Sequence, residues 1–245
     1  MRLRIFDDEV LGRLGGFPIT MTMVAGLLAS LLVVAYAVVV ARAVRRRPAS
    51  RRAALGRMTH RFVSGLVTDA AGHEVPGLEA FAGTIFLYVV AAALIGQLPV
   101  VPAPTATLAA TSALAALVFL AVPVAGVRAH GVRGYLATYI RPNPVLFPLH
   151  LISEVSRTLA LALRLFGNMM SGQLVVAVIV ALVGVLVPVP LMALDLLIGC
   201  LQAYIFTILA SVYIGAATQI EAAGHASPTS SAPHRAADNQ KEGAS

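Results

Sequence analysis

The chain contains 245 residues, of which 58% are hydrophobic and only 12% are charged. Soluble domains carry about 25% charged residues, so this chain has too few polar side chains to cover a globule in water. The composition therefore indicates an integral membrane protein. The formal net charge of +7 would suggest nucleic-acid binding in a soluble chain, but here the arginines flank apolar segments. The single cysteine, Cys200, excludes a disulfide framework and a cysteine-based zinc site.

The first apolar segment, residues 17–41, contains no charge and is longer than the roughly 20 helical residues that cross a bilayer. Six arginines follow it within residues 42–52. Basic residues near the ends of spans stay on the cytoplasmic side, so we expect residues 1–16 to form an external segment and residues 42–61 to be cytoplasmic. Residues 53–70 place apolar side chains at helical spacing among basic ones, which predicts an amphipathic helix on the cytoplasmic surface.

Four further apolar segments follow, and the last two are long. They comprise residues 78–98, 107–127, 144–187 and 190–219. Because each of the last two exceeds one perpendicular span, we expect them to form a long, tilted helical hairpin in the membrane. Residues 220–245 are polar and are expected to form a disordered cytoplasmic tail. The predicted fold is an all-α polytopic membrane protein with five traversing helices and one surface helix.

Arg164 lies among apolar residues near the middle of the fourth apolar segment. A guanidinium keeps its charge in proteins, and placing it at the centre of a membrane costs about 2.5 to 3.5 kcal/mol on insertion scales. It therefore requires a partner, a water-filled cavity or a path to the headgroups. A buried ion pair with Glu154 or Asp195 and snorkelling are the structural explanations. Asn168 and Ser171 share the helical face of Arg164, four and seven residues later, which favours a functional stripe.

A second polar stripe is expected on the fifth segment, where Asp195 and Gln202 are seven residues apart and Tyr213 falls on the same face. Gln173, nine residues after Arg164, is expected on the opposite face of its helix. Polar residues inside a membrane usually face a bundle interior or an ion path. Single Asn and Gln residues more often join helices by hydrogen bonds, but together with the two charged residues the stripes favour an ion pathway.

Small residues predict where helices approach each other closely. The candidates in the last two segments are Gly167, Gly172, Gly199 and Gly215. These glycines indicate packing and no function. The sequence contains no phosphate-binding loop, nucleophile motif or metal-ligand set, so we expect no cofactor and no bound metal.

Two segments of the predicted hairpin carry a family resemblance. They read SRTLALALRLFGNMMSGQL at residues 156–174 and LQAYIFTILASVY at residues 201–213. Both closely resemble subunit a of the F-type ATP synthases, in that family's order and separation, and the helix plan is similar to that family over residues 17–219. The resemblance implies an ion-conducting stator subunit with two half-channels that pass H⁺ or Na⁺ to and from a ring of c subunits. It implies no reaction by this chain, since ATP synthesis and hydrolysis belong to partner subunits.

In that family, the arginine that Arg164 matches faces the c ring between the two half-channels. A fixed cation there favours the ionised form of a passing carboxylate and blocks direct leakage of cations between the channels, so rotation becomes obligatory. Asn168 and Gln202 match the family's Asn and Gln, and Asp195 stands where many members have a His or Glu that lines the external half-channel.

The resemblance also implies partners and a location. The implied partners are the c ring, the b-subunit stator stalk, the catalytic ATPase head and the lipid bilayer, with no nucleic acid. The implied location is a bacterial plasma membrane, which the chain crosses several times, with an external N-terminus and a cytoplasmic C-terminus.

The chain departs from the family pattern at several positions. Gln173 replaces a common Glu or His, so Asp195 alone supplies the carboxylate of that pair. Thr107 replaces the acid of the Pro-Thr-Ala-Asp pattern, and Thr158 replaces the usual Pro. These differences resemble the divergent N-type branch of the family, which is associated with sodium.

Two other classes of function compete with this interpretation. A stand-alone secondary transporter would use the Arg164 and Asp195 pair as a gate, and it predicts an inverted internal repeat. A membrane enzyme would need a nucleophile with its base or a set of metal ligands. The sequence shows neither the repeat nor such a set.

Overall fold

The computed structural model describes residues 10–14, 17–98, 103–140, 146–183 and 187–219. Within these ranges the chain forms six α-helices, a short 3₁₀ turn and a two-stranded hairpin. The helices are α1 (Met21–Arg46), α2 (Arg51–Ala71), α3 (Leu78–Gly96), α4 (Leu108–Ile140), α5 (Leu146–Val183) and α6 (Val189–Gln219). Of these described helices, five, all but α2, are long and apolar enough to cross a membrane. The predicted helical membrane fold is confirmed.

A short antiparallel hairpin precedes α1. Its strands are β1 (Val10–Leu14) and β2 (Phe17–Thr20), with a bulge between Val10 and Gly12. This hairpin was not predicted from the sequence, because residues 17–19 are apolar enough to continue the first span. Thr20 explains the change from strand to helix, since its hydroxyl accepts a hydrogen bond from the backbone N–H of Met23 at 3.4 Å and so caps α1.

Local hydrogen bonds fix the ends of the next helices. Ser50 caps α2 by accepting from the N–H of Ala53 at 3.2 Å, and α2 ends at Gly72, whose φ of 73° favours glycine. Thr107 accepts from the N–H of Ala110 at 3.3 Å at the start of α4. Small polar side chains at these positions therefore set where the helices begin.

Helix α4 differs in length from its sequence-based span, which ends at residue 127. It continues to Ile140 with a kink at Gly131, where φ is 71° and ψ is 166°. Residues other than glycine rarely adopt this backbone conformation. Arg128 and Arg133, which follow the predicted span, therefore belong to the same kinked helix.

Helices α3 and α6 form the centre of the bundle. Buried residues of α3, α4, α5 and α6 pack into one cluster that includes Val89, Val118, Leu165 and Phe206. A second cluster joins α2, α3, α4 and α6 near the C-terminal end of α6, and a third joins α1 to α3. Helix α5 lies at the edge of the bundle, and most of its large apolar side chains are exposed.

Three of the four glycines bring helices together as predicted. A Cβ on Gly172 would overlap the carboxylate of Asp195, a Cβ on Gly199 would lie 2.7 Å from the Cβ of Ala93, and one on Gly215 would lie 2.8 Å from the Cα of Ala71. Gly167 makes no such contact within the described part of the chain, where no atom lies within 4 Å of its Cβ position. The segment 220–245, predicted to be a disordered tail, lies outside the described residues, as do residues 1–9, 15 and 16.

Candidate functional site

Arg164 lies at the middle of α5 on its outward face. Leu161, Leu165 and Met169 form the buried face of this helix, and Arg164 itself is exposed. Arg164 forms no hydrogen bond and no ion pair with any residue that the structure describes. The buried ion pair with Glu154 or Asp195, which the sequence left open, is therefore not formed.

The residues predicted to share the Arg164 face lie beside it. Ser171 is exposed and Asn168 is half-buried. The Ser171 hydroxyl donates to the backbone carbonyl of Asn168 at 3.1 Å, so it is bonded to its own helix. Gly167, which directly precedes Asn168, is also exposed. The outward surface beside Arg164 therefore includes the small residues Gly167 and Ser171, and the guanidinium side chain is exposed.

Helices α5 and α6 run antiparallel, and three contacts give their relative positions. Gly172 contacts Asp195, the Met169 Cε lies 3.4 Å from the Cβ position of Gly199, and the Arg157 guanidinium carbon lies 4.4 Å from the centre of the Tyr213 ring. Because Arg164 lies between Arg157 and Met169 along α5, it is level with residues 202–206 of α6. With a rise of about 1.5 Å per residue, Arg164 is about 12 Å along α5 from Gly172.

Asp195 lies where three helices meet. Its Oδ2 accepts a hydrogen bond of 3.0 Å from Nε2 of Gln97, which caps the C-terminal end of α3. Its Oδ1 occupies the space that a Cβ on Gly172 of α5 would need. The carboxylate is half-buried. It therefore faces the interior of the bundle, whereas Arg164 faces outward.

The two predicted glutamines also face the interior. Gln202 is only 4% exposed, and its Nε2 is buried without a hydrogen-bond partner among the described residues. An unsatisfied buried donor costs about 1 to 3 kcal/mol. The Nε2 of Gln173 lies 3.6 Å from the Cβ position of Gly96, so Gln173 points towards the end of α3, opposite to the Arg164 face. The structure thus brings Gln173 and Asp195 to the same helix end but does not join either to Arg164.

Sequence reasoning missed two residues of this region. Gln97 lies within the predicted span 78–98. An amide side chain two residues before the first proline of a loop was nevertheless a sign of a polar helix end. Arg157 was not among the predicted site residues, although it stands seven residues before Arg164 and therefore on the same helical face. Its stacking on Tyr213 depends on how α5 and α6 pack, which the sequence alone does not show.

A cavity of about 810 Å³ lies near the opposite end of α6 from Asp195. Its lining includes His73, Glu74, Arg128 and Thr218, and the Nε2 of His73 lies 3.0 Å from the Thr218 hydroxyl. None of the predicted site residues is among the described residues that line it. The cavity is therefore separate from the surface around Arg164.

Comparison with known proteins identifies relatives of this chain. The protein-family model described as "ATP synthase A chain" matches residues 20–215. A protein of Bradyrhizobium sp. (strain BTAi1) named ATP synthase subunit a 2 is 46% identical over 162 residues, which cover 66% of this chain and 73% of that protein. ATP synthase subunit a of Albidiferax ferrireducens is 49% identical over 139 residues, covering 57% and 60% of the two chains.

A third relative gives the same result over a shorter region. ATP synthase subunit a of Nitrosospira multiformis is 50% identical over 138 residues, which cover 56% of this chain and 55% of that protein. The chain thus spans between about half and three quarters of the length of these relatives. Because the family model covers most of the sequence, including the helices that carry Arg164 and Asp195, this chain belongs to the family of subunit a of the F-type ATP synthases.

Proposed function

We propose that this chain is the ion-conducting stator subunit in the membrane sector of a rotary F-type ATP synthase. In this role it passes H⁺ or Na⁺ to and from a ring of c subunits through two half-channels. The membership of the family supports a role in the membrane sector. The observation that carries the rest of the proposal is the exposed Arg164, which has no partner among the described residues of its own chain.

The cost of this arginine supports a partner outside the chain. An arginine at the centre of a bilayer costs about 2.5 to 3.5 kcal/mol or more, and no described residue offsets that cost by an ion pair. A carboxylate on a neighbouring helix is the group that would compensate it. The small residues Gly167 and Ser171 beside Arg164 favour the close approach of such a helix.

Asp195 supports a polar path on the other side of the hairpin. We assign Asp195, Gln173 and Gln202 to the lining of the external half-channel, and Asn168 and Ser171 to the surface that meets the ring beside Arg164. Along α5, Arg164 lies about 12 Å from the level of Asp195, so an ion at Asp195 does not reach Arg164 directly. The ion passes from this path to a carboxylate of the ring. An ion then crosses only by riding the ring.

Rotation follows from the fixed charge of Arg164. An ion neutralises a ring carboxylate from one half-channel, and the ring turns before the ion leaves through the other. The guanidinium favours the ionised carboxylate as it passes and repels a free cation. Each elementary charge that crosses 100 mV supplies about 2.3 kcal/mol. ATP chemistry takes place in the catalytic head, to which the b-subunit stalk connects this chain.

The proposed location is a bacterial plasma membrane. Residues 1–16 are external, residues 17–219 form the membrane domain and residues 220–245 form a cytoplasmic tail. The arginines between Arg42 and Arg61 support this orientation, because basic residues near span ends stay cytoplasmic. A stand-alone transporter gated by an Arg164 and Asp195 pair is not favoured, because Asp195 bonds to Gln97 and Arg164 faces away from it.

The test is Arg164→Ala in the whole complex reconstituted into vesicles. We expect loss of ATP synthesis driven by an imposed ion gradient, with assembly of the complex retained. The control is Arg128→Gln, which removes an arginine from α4, and it should keep most of the activity. Full coupled synthesis in Arg164→Ala would overturn the proposal. ATP synthesis by vesicles that contain the unmodified complex, measured with and without Na⁺, determines which ion is carried.

A further inference from the structure

The hydrogen bond between Gln97 and Asp195 joins residues that are 98 positions apart in the chain. Gln97 lies at the C-terminal cap of α3, whereas Asp195 lies in the second turn of α6. The bond length of 3.0 Å is ordinary for an amide donor and a carboxylate acceptor. The contact therefore connects the end of one central helix to the carboxylate of the other.

The backbone around Gln97 has little freedom to move. The N–H of Gln97 is bonded to the carbonyl of Leu94 at 3.3 Å, within the last turn of α3. The neighbouring Gly96 packs so closely that an added Cβ would lie 2.7 Å from the Cβ of Ala103. The Gln97 amide is thus presented from a closely packed helix end.

The two oxygens of Asp195 have different surroundings. Oδ2 accepts from Gln97, and Oδ1 lies against Gly172, where only a residue without a side chain leaves space for the carboxylate. The amide of Gln97 is neutral and has no acidic or basic function. It can therefore orient the carboxylate without neutralising it, which an arginine or lysine at this position would do.

We propose that Gln97 is a positioning residue that holds the Asp195 carboxylate against Gly172 in the orientation that accepts and releases the conducted ion. This inference rests on the proposed role of Asp195 in the ion path. Without the amide, the carboxylate rotates away from the junction, and ion exchange at Asp195 slows. Loss of a hydrogen bond to a charged acceptor is expected to slow ion conduction by about tenfold.

The test uses Gln97→Met, whose side chain has a similar length but no donor, in the whole complex. Ion conduction is measured as ATP-driven ion uptake into vesicles. The orientation of Asp195 is measured separately, from the infrared carboxyl band of ¹³C-aspartate-labelled complex that disappears in Asp195→Asn. We expect conduction to fall about tenfold and the Asp195 band to shift. Leu98→Ala, at the exposed neighbouring position, should change neither.

A second variant covers the case in which Gln97→Met does not assemble. Gln97→Asn keeps the amide but is one methylene shorter, so the band should shift in the same direction and conduction should fall less. The inference is overturned if the Asp195 band is unmoved in both variants, or if it shifts while conduction stays within about twofold of the unmodified complex. The proposed function fails separately if Asp195→Asn conducts normally, whatever Gln97 does.

Discussion

The guanidinium carbon of Arg157 lies 4.4 Å from the centre of the Tyr213 ring, which ties α5 to the last third of α6. The contact stands about two turns from Arg164 along α5. On the other side of Arg164, Gly172 contacts Asp195. The position of Arg164 on the hairpin is therefore held from both directions by contacts between the same two helices.

Removing the Tyr213 ring should loosen this end of the hairpin. A cation–π contact contributes about 0.5 to 2 kcal/mol, so Tyr213→Leu is expected to lower the free energy of unfolding by that amount. Tyr213→Phe keeps an aromatic face and should retain most of the stability. Thermal or denaturant unfolding of the purified complex measures the difference. Equal losses in the two variants would show that the cation does not interact with the ring.

Gly172 should tolerate no side chain. An added Cβ would overlap the carboxylate of Asp195, so Gly172→Ala is expected to displace Asp195, to destabilise the hairpin by about 1 to 3 kcal/mol and to reduce ion conduction. Gly167→Ala is the matched control for the stability of the subunit without the ring, because no atom of the described residues lies within 4 Å of a Cβ there. That control should be neutral or stabilising by up to about 1 kcal/mol, since alanine favours helix. A Gly172→Ala variant as stable as the Gly167→Ala variant would contradict the close contact.

Gly215 makes a second close approach, between α6 and α2. A Cβ there would lie 2.8 Å from the Cα of Ala71 and 3.0 Å from its carbonyl oxygen. Backbone atoms move less easily than side chains, so Gly215→Ala should destabilise the protein by about 1 to 3 kcal/mol. Gly65→Ala on α2 is the control, because none of the residues in the described ranges has an atom within 4 Å of a Cβ there. Denaturant unfolding measures the free energy of unfolding of both variants. Equal losses in Gly215→Ala and Gly65→Ala would contradict the close contact between α6 and α2.

Asp195→Asn should reduce ion conduction and leave assembly intact. The asparagine keeps the size of the side chain and an oxygen that can accept from Gln97, but it cannot take up and release a proton or balance a cation. ATP-driven ion uptake into vesicles is the measurement, and the amount of assembled complex is the control. Unchanged uptake at every pH would remove Asp195 from the ion path.

Hydropathy and charge predicted the helical membrane fold because both are properties of contiguous segments. Long apolar runs give spans whatever surrounds them. The hairpin before α1 and the kink at Gly131 were not predicted, because residues 17–19 are apolar in either conformation and one glycine in a helical pattern does not reveal its φ.

The parts of the site that lie on a single helix were predictable from the sequence. Arg164, Asn168 and Ser171 share a face because helical periodicity alone decides it. The contacts of Asp195 with Gln97 and Gly172 were not predictable, because they depend on how α3, α5 and α6 pack. The burial of Gln202 and the outward direction of Arg164 likewise depend on which side of each helix meets the bundle.

The outward direction of Arg164 affects the energy of the isolated subunit in the membrane before it meets a partner. A newly inserted chain presents this cation to lipid, so the orphan subunit is a less favourable solute of the bilayer than the same chain beside a compensating carboxylate. With the proposed function, the exposed charge therefore makes association with a helix that carries a carboxylate more favourable by part of this insertion cost.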